Sequence, residues 1–143
     1  MATSAVTTPK LKPTTIQSGF AIQGSRFSTT STSFVDVTGM TFNYTAGATN
    51  ERLFLIMEVM AAGSSGNNAS CTLSINGADQ TLATYHDNIY FTRNTRVYIA
   101  DIPANATYTI KIRCKSGTGA AVSVTNDGAG FMPIVQGFAI SNV

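Results

Sequence analysis

The sequence predicts an all-β chain folded as an antiparallel β-sandwich of roughly eight to ten strands, and three observations lead there. Over Thr107–Lys115, Tyr108, Ile110, Ile112 and Cys114 alternate with Thr107, Thr109, Lys111, Arg113 and Lys115, the pattern of a strand with one dry and one wet face. Turn residues punctuate the chain at short intervals, and no ten-residue stretch has a helical period. Asn76-Gly77 follows a second alternating segment and suits a type I′ hairpin, whose two central residues need positive φ.

Taken in order, residues 1–17 (MATSAVTTPKLKPTTIQ) hold two prolines and five threonines without periodicity, so they read as an extended arm outside the core. The sandwich then occupies 18–143. Its expected strands begin with Phe20–Phe27 and Phe34–Val37, the latter continuing through Met40–Tyr44. Arg52–Ala61 comes next, then Ser70–Asn76 with Cys71, Leu73 and Ile75 inward, and a return strand near Gln80–Thr84. Asn88–Phe91, Thr95–Ala100, Thr107–Lys115, Ala120–Thr125 and Ile134–Ile140 complete the set.

Arg52–Ala61 is apolar on both parities, Leu53, Leu55, Met57 and Val59 on one and Phe54, Ile56 and Met60 on the other. One side faces the core and the other needs separate cover. Phe54, Ile56 and Met60 are therefore a candidate oligomer face, with the N-terminal arm as the alternative cover; Ile134–Ile140 has the same two-sided character.

Composition narrows the function. At 143 residues the chain makes one domain that needs no metal or disulfide staple. Only 11% of residues are charged, against about 25% usually, which suits a surface in contact with neighbours. The longest apolar run, Leu53 to Ala62, is broken by Glu58 and is half of what a membrane helix needs, so no membrane span is expected. No apolar leader precedes the domain, which implies synthesis and assembly in cytoplasm. Residues 1–33 carry Lys10, Lys12 and Arg26 and no acid, too sparse a set for a nucleic-acid binder. Pro9, Lys10, Leu11, Lys12, Pro13 and Ile16 are instead the candidate arm that docks on a partner.

The chemistry-bearing residues do not form a catalytic set. The one histidine, His86, lies between Tyr85 and Asp87, and a strand would send His86 and Asp87 to opposite faces; His86 reads as a loop or turn residue. Cys71 and Cys114 share inward parity and are 43 residues apart, so they read as small buried hydrophobes, reduced in a cytoplasmic product, with a cross-strand disulfide as the alternative. No zinc, calcium or phosphate-loop spacing occurs, and no cofactor is expected. The chain reads as a non-enzyme. Lys111, Arg113 and Lys115 form a positive stripe without interleaved aromatics, a solvated face or a contact for an acidic neighbour. Tyr85, His86, Asp87 and Tyr90 make the one cluster suited to a glycan, an aromatic platform beside polar groups.

From Thr32 onward the segments TSFVDVTGMTFNYTA, ERLFLIMEVMAA, CTLSINGADQT and VYIADIPANATYTIKIRCKSGTGAAVSV follow an order that resembles the jelly-roll, tumour-necrosis-factor-like surface proteins of tailed-phage virions. That resemblance implies a jelly-roll topology and a homo-oligomer, with a trimer favoured. It also implies a non-enzymatic role as a capsid decoration or spike subunit on the virion, docked on a major capsid or other virion protein. A glycan- or receptor-binding tail-fibre module is the alternative.

Overall fold

In the computed structural model, which describes residues 11–19, 26–64, 66–87, 90–125 and 133–141, the chain is all-β and no helix occurs among the described residues. The strands are β1 Leu11–Gly19, β2 Phe27–Thr29, β3 Val35–Thr45, β4 Glu51–Ala62, β5 Ala69–Ile75, β6 Ala78–Asp79, β7 Thr84–His86, β8 Thr92–Ile102, β9 Thr107–Ser116, β10 Val122–Val124 and β11 Ile134–Ser141.

They form two antiparallel sheets. In the first, β4 is the central strand: β11 pairs with its Glu51–Glu58 part and β10 with Ala61 and Ala62 along one edge, and β8 pairs with it from Glu51 to Ala61 along the other. β1 extends this sheet beyond β11, and β2 extends it beyond β10. The second sheet has the order β3-β9-β5, with β6 and β7 both on the outer edge of β5. If the eight principal strands are numbered along the chain (β1, β3, β4, β5, β7, β8, β9, β11), the sheets read first-eighth-third-sixth and second-seventh-fourth-fifth. That interleaving is the jelly roll, two Greek keys rolled into a sandwich.

Strand parity builds the core. Leu53, Leu55, Met57 and Val59 of β4 face Leu73 and Ile75 of β5 and Ile110 and Ile112 of β9, and all are buried. β5 and β9 pair in the register Leu73↔Ile112 and Cys71↔Cys114. Directly opposite residues of an antiparallel pair bring their Cβ atoms close enough to bridge, and Cys71 and Cys114 are joined as a disulfide with Cα atoms 4.1 Å apart. The expectation of two reduced thiols is corrected: parity placed both sulfurs inward, but the register that sets them opposite each other could not be read from either strand alone.

Backbone chemistry explains the local irregularities. Asn76 and Gly77 have φ of 50° and 85° and close the β5–β6 hairpin, as a type I′ turn requires. The register of β3 against β9 shifts between Asp36 and Thr41, around Gly39 at φ 78°, a conformation that glycine adopts without a Cβ penalty.

Some expected elements move. The return strand near Gln80–Thr84 is split into the two-residue β6 and the later β7. Phe27 opens β2, while residues 20–25 lie outside the described residues, as do Asn88 and Ile89; Tyr90 and Phe91 are not in a strand. Leu11–Gly19, expected as part of an arm that ends at residue 17, is a strand that runs through that boundary and pairs with β11 as Leu11↔Ile140, Lys12↔Ala139 and Ile16↔Gly137. Its register breaks between Lys12 and Ile16, where Pro13 has no N–H to give to the ladder. Pro9 and Lys10 lie outside the described residues.

Candidate interaction surface

The outer face of the first sheet carries apolar residues on three strands, with Gln136 of β11 and Thr95 of β8 as polar members. Phe54, Ile56 and Met60 of β4 point away from the core and are half-buried among their neighbours. Phe54 is opposite Ile99 of β8 on one side and Phe138 of β11 on the other, and Ile56 is opposite Val97. The Phe54 and Phe138 rings stack with centroids 4.9 Å apart. Val97, Ile99 and Phe138 remain 53%, 57% and 38% exposed. Ion pairs bracket this patch along the strands: Arg52 with Asp101 at 2.6 Å towards one end, and Arg93 with Glu58 at 3.2 Å towards the other. β1 lies beside β11 within the sheet, so Leu11–Gly19 caps an edge and does not lie across this face.

The outer face of the second sheet is finished differently. Lys111 pairs with Asp36 at 2.6 Å, and Arg113 pairs with Asp36 and Asp79 at 2.9 and 2.6 Å. Lys115 lies over the Phe34 ring, 4.8 Å from its centroid. Lys111 holds the Asp36 carboxyl below the usual carboxylate range, helped by Arg113. Lys111 and Arg113 of the positive stripe are thus neutralised by acids of their own chain, which no sequence spacing signals because Asp36 and Asp79 are brought in by β3 and β6.

His86 is corrected from a loop residue to a buried strand residue. It sits in β7 at 1% exposure, with Nδ1 3.0 Å from the Thr92 hydroxyl and Nε2 3.0 Å from the Thr84 hydroxyl. Burial lowers its pKa from 6.5. With both ring nitrogens engaged inside, His86 is not part of a glycan-facing surface. Tyr85 and Tyr90 do face solvent, at 56% and 71% exposure, and Asp87 is exposed.

Glu51 was not singled out by the sequence. It is buried at the start of β4, where its carboxylate accepts hydrogen bonds from the Tyr44 hydroxyl and the Gly47 amide. It underlies a cleft of about 280 Å³ that Arg52, Asp101, Pro103 and Tyr108 help to line. Five of the seven acids, Asp36, Glu51, Glu58, Asp79 and Asp101, are thus engaged by groups of the same chain. Among the described residues, no cluster of three or more His, Cys, Asp or Glu is arranged to hold a metal ion.

No family model matches the chain, and no curated protein does. Similar solved structures include dimeric latent PorU from Porphyromonas gingivalis, with a TM-score of 0.47 and 10% identity over 87% of this chain. This chain spans only 14% of that one. A family 35 carbohydrate binding module from Clostridium thermocellum is similar at a TM-score of 0.36 and 11% identity, over 95% of this chain and 98% of the module. A structure of infectious bursal disease virus, Gx strain, is similar at 0.37 and 18%, over 94% of this chain and 37% of that one. The jelly-roll assignment rests on the strand order itself.

Proposed function

We propose that this chain is a non-catalytic structural subunit of a phage virion surface, a decoration or spike protein, that associates through the outer face of its β11–β4–β8 sheet. The observation that carries the reading is the continuous patch of Phe54, Ile56, Val97, Ile99 and Phe138, with Val97 and Ile99 more than half exposed. Contiguous apolar surface of this kind is a contact surface, since an isolated soluble chain gains nothing by wetting it. The engaged acids and the buried His86 support a chain whose polar groups serve its own fold.

Light scattering on the purified protein tests the reading. Wild type is expected to be oligomeric, and the pair Ile56→Thr and Phe138→Ser, which keeps β-compatible residues on the outer parity, is expected to lower its oligomeric mass without unfolding. A wild type that stays monomeric at high concentration and does not bind phage particles overturns the proposal.

A second reading, a glycan-binding module, is favoured by one observation, the exposure of Tyr85 and Tyr90 on the same stretch of chain. Glycan-array binding that is lost in Tyr85→Ala and Tyr90→Ala would put this reading first.

A further inference from the structure

We infer that β8 is the seam of a two-fold dimer, in which two copies of this chain pair edge to edge, antiparallel, with Val97 on the axis. The seam uses the edge of the sheet whose outer face carries the association proposed above, leaves that face uncovered, and stands or falls separately from it.

The two edges of the principal sheet are not alike. One ends in β1, an edge strand that carries Pro13 and a register break between Lys12 and Ile16. At the other, β8 is laddered to β4 through all of Thr92–Ile102 without a register shift, and among the described residues no strand pairs with its outer side. Natural edge strands are blunted by proline, bulges, shortness or charged side chains, and of these β8 carries only charges, at Arg93, Arg96 and Asp101. β8 is eleven residues long, has no proline or glycine, and shows no bulge. An edge of this kind is a template for another strand.

Its charges select a second copy. In an antiparallel pair about a two-fold axis, opposite residues have numbers of constant sum, and the outer faces stay on one side only if the axis passes through a residue. With Val97 on the axis, Arg93 of each copy is opposite Asp101 of the other, Thr95 is opposite Ile99, and Val97 meets itself. All five belong to the outer parity of β8. Two cross-strand ion pairs then join the Glu58–Arg93 pair of one copy to the Asp101–Arg52 pair of the other. A shift to Arg96 sets that arginine against itself and Arg93 against Ile99; a shift to Tyr98 leaves Arg93 opposite Pro103 and Asp101 opposite Thr95. Of these three neighbouring registers, only the one centred on Val97 matches the charges. It also doubles the apolar face, because Phe54, Ile56, Val97 and Ile99 of both copies become parts of one sheet.

Two experiments on the full chain decide the matter. The native cysteines are bridged, so Val97→Cys introduces a single thiol. Opposite residues are within disulfide reach, and mild oxidation is expected to give a covalent dimer for Val97→Cys but not for Ile99→Cys. Separately, Arg93→Asp places two acids opposite each other and Asp101→Arg two bases. Each alone is expected to weaken dimerisation about ten-fold or more, and an equimolar mixture is expected to regain it, because the mixed dimer is complementary at both contacts. A trimer, or any oligomer in which the Val97→Cys chain does not cross-link, overturns the seam and leaves the broader association standing. A chain that is monomeric throughout overturns both. A mixture that fails to associate, from variants that keep the wild-type circular dichroism and melting temperature, overturns the register.

Discussion

Removing the bridge between β5 and β9 tests the largest difference between sequence and structure. The disulfide joins residues separated by 43 positions, and in the chain-entropy account, closing a loop of that size restrains the unfolded state by about 4 kcal/mol at 25 °C. Unfolding entropy near 60 °C is about 2.1 cal/mol/K per residue, so for 143 residues that loss corresponds to a fall of about 13 °C in melting temperature. The perturbation is the pair Cys71→Ala and Cys114→Ala, which removes both sulfurs and leaves no lone thiol. Both sites are fully buried, so adding a reductant to folded protein would test access more than bonding. The assay is calorimetry, paired with a thiol count on wild type unfolded without reductant. A melting temperature within about 3 °C of wild type, or two reactive thiols per unfolded chain, would refute the bridge and restore the reading of two small buried hydrophobes.

Three further outcomes are expected. His86 is buried with a lowered pKa, so the unfolded chain binds its proton more readily than the folded one. Its contribution is complete above the ordinary value of 6.5 and is lost as pH falls below it. Melting temperatures of wild type and His86→Gln measured between pH 8 and about 5 should therefore show a steeper acid decline in wild type. At Gly137 a Cβ would meet the Phe54 carbonyl oxygen at 2.1 Å, so Gly137→Ala should cost about 1–3 kcal/mol in denaturant unfolding, and no loss would mean that β11 sits farther from β4. Gly77 has φ of 85° with open space around it, so Gly77→Ala should cost about 1 kcal/mol through backbone strain alone, and Gly77→Asn should cost less.

Short-range pattern carried most of the strand content. The two parities of Arg52–Ala61 were readable because alternation sends Leu53, Leu55 and Met57 one way and Phe54 and Ile56 the other. Asn76-Gly77 announced its hairpin by the φ values that only such residues adopt readily. What the pattern did not carry was pairing. Cys71 and Cys114 bridge because β5 and β9 are neighbours in one particular register, and Asp36 and Asp79 neutralise Lys111 and Arg113 because β3 and β6 lie nearby. Leu11–Gly19 has no periodicity and two prolines nearby, yet it pairs with β11, since an edge strand needs a backbone to match and tolerates a proline at a break in its ladder. His86 was misread for the converse reason. Its polar neighbours in sequence suggested a loop, while its hydroxyl partners Thr84 and Thr92 allow an imidazole to be buried with both nitrogens satisfied.

The two outer faces of the sandwich bear on function because they are completed by opposite means. On the second sheet, cross-strand polar pairs satisfy one another within the chain: Thr45 with Thr107 at 2.8 Å, Asn43 with Thr109 at 2.8 Å, and the Lys111, Arg113, Asp36 and Asp79 network. Such a face is finished in water and asks nothing of a neighbour. On the first sheet, the corresponding positions hold Phe54, Ile56, Val97, Ile99 and Phe138, with charges only towards its ends. Removing that surface from water is worth about 25 cal/mol per Å² of apolar area, a term unavailable to the isolated chain. In the proposed function the first face meets protein and the second meets water.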